Sequence, residues 1–275
     1  MRLEFDSPPP FKHASVSKVN AYRKCPRQLW YRYYTDLEDP AGSALILGSA
    51  TDEAIGVGLN QLRTLGDIDL EVIQNTFTST LYKGMLEGKT LTDEEIDELE
   101  TATVLIASAF EDYFFYIKNR FVEILPPQIE INNWYIHEDC NLPIKGAIDM
   151  VAIDQGGNYV VIDHKTSKKV EANLDYNFQL MVYCKYLMEK FNLSTIPAAE
   201  LHYFLKVPQK KDPSMFRIKE VGKYFTKEKF DNLGFDFLQL EEAIHKDYFP
   251  ANRWHFLCSK KWCSFYEHCS QSNFN

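Results

Sequence analysis

No stretch of this 275-residue chain approaches the ~20 consecutive apolar residues that a membrane-spanning helix needs. No targeting segment opens it either. A soluble, cytoplasmic protein with no membrane partner is therefore expected. Paired short C-x-x-C knuckles, the usual signature of structural zinc, are also missing. Without a route to an oxidising compartment, the six cysteines are not expected to form disulfides. No internal repeat or low-complexity tract appears, which sets repeat architectures aside. Excess positive charge is lacking as well. The net charge is −9, the wrong sign for a protein that grips nucleic acid along its whole surface.

The distribution of that charge says more than its sum. Residues 1–35 carry seven Lys/Arg against two acids, residues 36–115 carry three against seventeen, and the remainder holds twenty of each. The acidity thus falls in one helical region and reads as a solvated face. Arg23, Lys24, Arg27 and Arg32 interleave with Tyr22, Trp30, Tyr31 and Tyr33, a pattern in which cations meet phosphates and rings stack on bases. About half of those rings are expected simply to pack.

The most informative stretch is IKGAIDMVAIDQGGNYVVIDHKTSKK. Residues 144–153 and 159–165 are rich in Val, Ile and Tyr and predict two strands. Asp154-Gln155-Gly156-Gly157-Asn158 between them is turn chemistry for a hairpin. A hairpin closing about Gly156 sets Asp149 opposite Asp163, Val151 opposite Val161 and Ile153 opposite Tyr159. Side chains alternate along a strand, so Asp163 and Lys165 share a face, and Asp149 joins them. Two carboxylates and an ammonium at one point can hold a divalent metal and activate water against a phosphodiester. The alternative is an edge hairpin whose charges are merely solvated.

Elsewhere, residues 1–14 with Pro8-Pro9-Pro10 read as an extended lead-in. Ser17 is expected to cap a short helix that Pro26 interrupts. Helices are expected over 48–65 and 69–86, and Thr92-Asp93-Glu94-Glu95 predicts a capping box. In the helix that follows, Ile96, Leu99, Thr103, Ile106, Phe110, Tyr113 and Ile117 form a core stripe. Pro126-Pro127 ends the helical region, and a strand is expected over 128–137. After the hairpin come a helix with Gln179 and Tyr183 at i, i+4 on one face, strands over 200–207 and 215–222, and a helix over 226–246. The basic loop 208–213 is a candidate DNA contact or a solvated turn.

At Asp149, Asp163-His164-Lys165-Thr166-Ser167, Gln179 and Tyr183, the chain resembles the PD-(D/E)XK nuclease superfamily, in particular its RecB-like exonuclease branch. Gly146 stands ahead of the first acid as in that pattern. Cys25, Cys258, Cys263 and Cys269 are similar to the four ligands of the branch's iron–sulfur subset, which includes AddB-type nuclease domains and CRISPR-associated exonucleases. The C-terminal spacings are x4 and x5, where that subset more often shows x2 and x5. Zinc in the same four-cysteine site is the alternative, and Cys140 and Cys184 read as buried thiols. In Leu47-Gly48-Ser49-Ala50-Thr51-Asp52, Asp52 occupies the place of the family's His.

The resemblance implies a restriction-endonuclease-like α/β fold, a mixed sheet flanked by helices, with an N-terminal helical insertion. The 4Fe–4S cluster would tie the N- and C-termini together, a cross-link worth on the order of 5 kcal/mol. Four segments follow from it: 1–35, basic, with the first cysteine; 36–126, helical; 127–225, the nuclease core; and 226–275, the last helix and cysteine segment. It further implies Mg2+ or Mn2+ held by Asp149, Asp163, the His164 carbonyl and Asp52. Lys165, Gln179 and Tyr183 would be catalytic, and Tyr22, Arg23, Arg27, Thr166, Ser167, Gln179 and Tyr183 would contact DNA. The implied activity is exonucleolytic cleavage at DNA ends, single-stranded or frayed, in recombination, repair or phage DNA metabolism. Partners would be recombination or replication proteins or a CRISPR integrase. The alternatives are a nuclease-fold DNA-binding or assembly module and a CRISPR adaptation nuclease.

Overall fold

The computed structural model describes residues 11–39, 41–88, 90–170, 174–209, 214–222 and 225–271. The proline lead-in at 8–10 and most of the basic loop at 208–213 lie outside the described residues. The chain divides into two compact units. One comprises Met1–Asp39, Ile131–Gly146 and Thr226–Asn275; the other comprises Pro40–Glu130 and Ala147–Phe225.

The second unit holds a five-stranded sheet in the order β1(Phe121–Ile124), β4(Met150–Asp154), β5(Tyr159–Ser167), β6(Ala198–Leu205), β7(Phe216–Glu220). Pairing is antiparallel throughout except between β5 and β6, which run parallel. A parallel neighbour needs a crossover rather than a tight turn, and α6(Leu174–Lys190) supplies it. With helices alongside, this is the mixed, restriction-endonuclease-like sheet that the motif order implied. The β4–β5 hairpin has the expected register, with Val151 opposite Val161 and Ile153 opposite Tyr159. Gly157 adopts φ +79° in its turn, where a side chain would be strained.

Three helices precede the sheet: α3(Ser43–Leu65), α4(Leu70–Glu87) and α5(Asp93–Arg120). Asp69 caps α4 by accepting the Glu71 and Val72 N–H groups. Thr92 and Glu95 close the capping box of α5. Leu99, Ile106, Phe110, Tyr113 and Ile117 are buried along one stripe of α5. α3 lies so close to α5 that a Cβ on Gly58 would sit 2.1 Å from Phe114 Cζ. Gly58→Ala should therefore destabilise the protein by about 1–3 kcal/mol through overpacking, despite alanine's better helix propensity. Urea unfolding measures this; unchanged stability would show that Phe114 moves freely.

The first unit carries α1(Val16–Lys24), α2(Pro26–Tyr34), α7(Lys227–His245) and α8(Tyr266–Gln271). Ser15, not Ser17, caps α1, because its Oγ accepts the Lys18 N–H at 3.2 Å. Pro26 takes the first position of α2, where its missing N–H costs nothing. The buried Glu241 carboxylate accepts the Asn141 and Leu142 N–H groups at 2.8 and 2.9 Å and so anchors that loop to α7.

Two strand expectations need correction. β1 follows α5 directly at Phe121, ahead of Pro126-Pro127, so the helical region ends earlier than the prolines suggest. The expected strand over 144–153 is two strands, β3(Ile144–Ile148) and β4, interrupted at Asp149. β3 pairs with β2(Ile129–Trp134) in a separate two-stranded sheet, whereas β4 pairs with β1 and β5. The chain changes sheets at Asp149.

Candidate active site

That interruption positions the first acid. One step beyond the Met150–Ile162 pair, Asp149 stands opposite Asp163. Its Oδ2 accepts the His164 backbone N–H at 2.8 Å, a bond the regular ladder would not offer. On β5, Asp163 and Lys165 project to one face and meet, with Lys165 Nζ 2.5 Å from Asp163 Oδ2. Lys165 also donates to Gln179 Oε1 at 3.4 Å, and Gln179 Nε2 donates to the Tyr183 hydroxyl at 2.8 Å. The i, i+4 pair on α6 thus reaches the strand ends as its spacing predicts. Asp52 comes from α3, a helix that packs along β5.

Electrostatics tie the three acids together. Burial raises the Asp149 carboxyl well above the usual range, and the Asp163 and Asp52 charges add to the shift. Burial and then the Asp163 charge push Asp52 up to about 7, against the pull of Lys165. Burial also raises Asp163, with Lys165 opposing. Tyr183 is pushed up by its own burial and by the Asp163 and Asp149 charges.

Like charges gathered in a low-dielectric site call for a cation. Asp163 is 1 % exposed, and the Lys165 ammonium alone does not balance three acids. A buried carboxylate of this kind, with two more beside it, fits a hard divalent ion with oxygen ligands. Among the described residues no group of three or more His, Cys, Asp or Glu forms a ready-made metal site.

Cys25, Cys258, Cys263 and Cys269 line one pocket of the first unit. Burial raises the Cys263 and Cys269 thiols, and the neighbouring cysteines raise them further. Cys25 Sγ accepts the Asn252 N–H at 3.4 Å. Cys140 and Cys184 are buried elsewhere, 1 % and 0 % exposed.

The proposed DNA-contacting residues fare unevenly. Arg23 is ion-paired with Asp236 at 2.5 Å, and Arg27 lies over the Trp30 ring at 5.2 Å, so neither is an idle surface cation. Tyr22 is half-buried. Trp30 packs on Tyr31 and Tyr34, and Tyr31 stacks on Phe265. Thr166 and Ser167 are half-buried at the end of β5.

One buried polar network belongs to no sequence motif. His164, the middle residue of the D-x-K triplet, is 5 % exposed. Its Nε2 lies 2.7 Å from the Tyr113 hydroxyl, which lies 3.0 Å from His202 Nδ1. His202 Nε2 meets Glu200 Oε2 at 2.9 Å, and Arg120 clamps Glu200 through both guanidinium nitrogens. Burial holds both imidazoles below their usual pKa, hence neutral, while His202 and Arg120 hold Glu200 ionised despite burial. The proton order follows. His202 Nε2–H donates to Glu200, the Tyr113 O–H donates to His202 Nδ1, and His164 Nε2–H donates to the Tyr113 oxygen.

Tyr113 is therefore more than the core residue its helical spacing suggests. Glu200 and His202 at i, i+2 in an otherwise apolar strand were the available sequence signal. Tyr113→Phe keeps the ring and strands two buried imidazole nitrogens, so a loss of about 1–3 kcal/mol is expected in urea unfolding. A wild-type midpoint would mean that water replaces the hydroxyl.

With this geometry in place, the comparison with family models gives the family. The chain matches the family model described as PD-(D/E)XK nuclease superfamily over residues 13–270, and it belongs to that superfamily. Membership implies a nuclease acting on DNA, and nucleases of this superfamily typically use Mg2+ or Mn2+. A solved structure titled "Crystal structure of SSO0001" is similar at 17 % identity, covering 92 % of this chain and 84 % of that one, with a TM-score of 0.35. No curated protein matches. No helix among the described residues is long and apolar enough to cross a membrane.

Proposed function

We propose that the protein is a metal-dependent exonuclease of the RecB-like branch, hydrolysing phosphodiester bonds at DNA ends in recombination, repair or phage DNA metabolism. The observation that carries this reading is the gathering of Asp149, Asp163 and Lys165 at the ends of two paired strands, with the Asp163 and Asp52 charges raising the Asp149 carboxyl beyond its burial. Asp149, Asp163, the His164 carbonyl and Asp52 would hold Mg2+ or Mn2+. The ion would supply Lewis-acid polarisation of the phosphate and an acidified water.

The remaining work falls to side chains. Lys165 orients the attacking water and balances charge as its oxygen bonds to phosphorus and the bond to the leaving sugar oxygen breaks. An ammonium beside carboxylates acts electrostatically without needing a lowered pKa. Gln179 holds the Lys165 amine, and Tyr183 holds Gln179. Thr166 and Ser167 donate to a neighbouring phosphate. The four cysteines lining one pocket support a 4Fe–4S cluster that locks α1 and α2 to the C-terminal segment, in a reducing cytoplasm that keeps thiolates available.

The test is digestion of end-labelled single-stranded DNA. Degradation in manganese that stops in EDTA supports the reading. Binding without cleavage under any divalent ion would instead make this a nuclease-fold DNA-binding module.

A further inference from the structure

Three aromatic side chains of the cysteine segment are far more exposed than folding requires: Trp254 is 98 % exposed, Phe256 76 % and Trp262 58 %. Exposing one large ring is ordinary; a cluster of three within one short segment marks an interaction surface. The backbone beneath them is ordered by successive turns. The His255 N–H donates to the Asn252 carbonyl, Cys258 N–H to His255 at 2.8 Å, and Trp262 and Cys263 N–H to Ser259 at 3.1 and 2.9 Å. Asn252 itself donates through its side chain to the Lys24 carbonyl at 3.0 Å. The backbone that carries the rings is therefore ordered, and the rings stand in solvent.

Charge indicates what they meet. Arg253, Lys260 and Lys261 are exposed in the same segment, and no Asp or Glu occurs from Tyr248 to Tyr266, in a chain of net charge −9. Lys260 pairs with Glu267 at 2.6 Å, but both side chains are well exposed and such a pair is worth little. The Lys261 ammonium lies over the Trp262 ring at 5.0 Å. A protein partner for exposed rings would ask for an apolar surround; cations interleaved with flat rings instead match unpaired bases on a phosphate backbone. Duplex DNA keeps its bases stacked inside and offers the rings nothing.

We propose that the segment from Arg253 to Trp262 is a base-stacking platform for single-stranded DNA, with Trp254, Phe256 and Trp262 as the stacking residues. The proposal deepens the nuclease reading by naming its substrate as unpaired strand, and it rests on that reading only for the nucleic acid. The test uses the full chain, purified anaerobically, and a fluorescein-labelled oligothymidylate in EDTA, so that nothing is cut. Trp254→Ala, Phe256→Ala and Trp262→Ala should each raise Kd by about five-fold or more, with unchanged thermal stability because the rings are exposed. Trp254→Phe, which keeps a π face, should restore most of the affinity. Affinity for a blunt duplex should hardly move.

Unchanged single-strand affinity in all three alanine variants overturns the proposal, as does an equal loss on duplex. Light scattering that shows a self-associated wild type and monomeric variants, with DNA affinity unaltered, would make the rings a self-contact and also overturn it. A wild type that binds oligothymidylate through these rings yet cuts nothing in manganese would sink the exonuclease and leave the platform standing.

Discussion

Replacing Asp163 or Lys165 with alanine is expected to lower cleavage of labelled DNA ends by about 10³-fold or more while DNA affinity, measured in EDTA, stays near wild type. The magnitude follows from removing a group that acts on developing charge in a buried site. Lys165 contacts both Asp163 and Gln179, so its loss removes the cation that faces the phosphate and loosens the α6 pair behind it. Residual cleavage within a factor of ten, in protein free of contaminating nuclease, would place the chemistry elsewhere.

The same carboxylates make a second, opposite effect on stability. A carboxyl whose folded pKa is raised destabilises the fold at every pH above its unfolded value of about 4; that cost vanishes as pH falls through that value. Asp149 is raised by burial and by Asp163 and Asp52. Asp149→Asn keeps an oxygen for the His164 N–H, removes one charge, and should raise Tm in EDTA by about 2 °C or more. The gap from wild type should narrow towards acid pH, where protonation does for aspartate what the amide does for asparagine. Manganese should stabilise wild type and not the variant, since only the former binds the ion. A variant less stable than wild type in EDTA would show that Asp149 is structural. Activity loss combined with stability gain is the mark of a site that folding alone would not have assembled.

How much of this was visible in the residues varies by element, for physical reasons. The β4–β5 hairpin was legible because turn chemistry fixes register and a period of two fixes faces. α5 was legible through its capping box. The break at Asp149 was not, because the strand crosses from one sheet to another without a Gly or Pro to mark it. β1 was not legible because it is only four residues, Phe121 to Ile124, following a long helix with no Gly or Pro between them. The Tyr113–His164–His202 chain could not be read at all from spacing, since its bonds join residues 51 and 89 apart. Ser15 displaced Ser17 as the cap because hydroxyls at both positions satisfy the local pattern and only packing chooses between them. The acids of the site, by contrast, announced themselves because charge inside an apolar hairpin is costly unless something compensates it.

Cys25→Ser should have the largest effect on stability of any single change. If Cys25, Cys258, Cys263 and Cys269 hold one inorganic centre, that centre closes a loop spanning most of the chain, and opening it costs on the order of 5 kcal/mol. That is comparable to the entire stability of a typical domain. The expected result is protein that loses its visible absorption, falls in iron and sulfide, and unfolds at much lower urea or accumulates as aggregate. Cys140→Ser and Cys184→Ser serve as controls, because both are buried away from the four-cysteine pocket and should keep wild-type iron. Lys165→Ala should keep it too, separating the cluster from the chemistry. Stoichiometric zinc in place of iron and sulfide would retain the four ligands and replace the centre. Wild-type metal content in Cys25→Ser would remove the N-terminal cysteine from the ligand set, and with it the argument that the two ends of the chain are tied together.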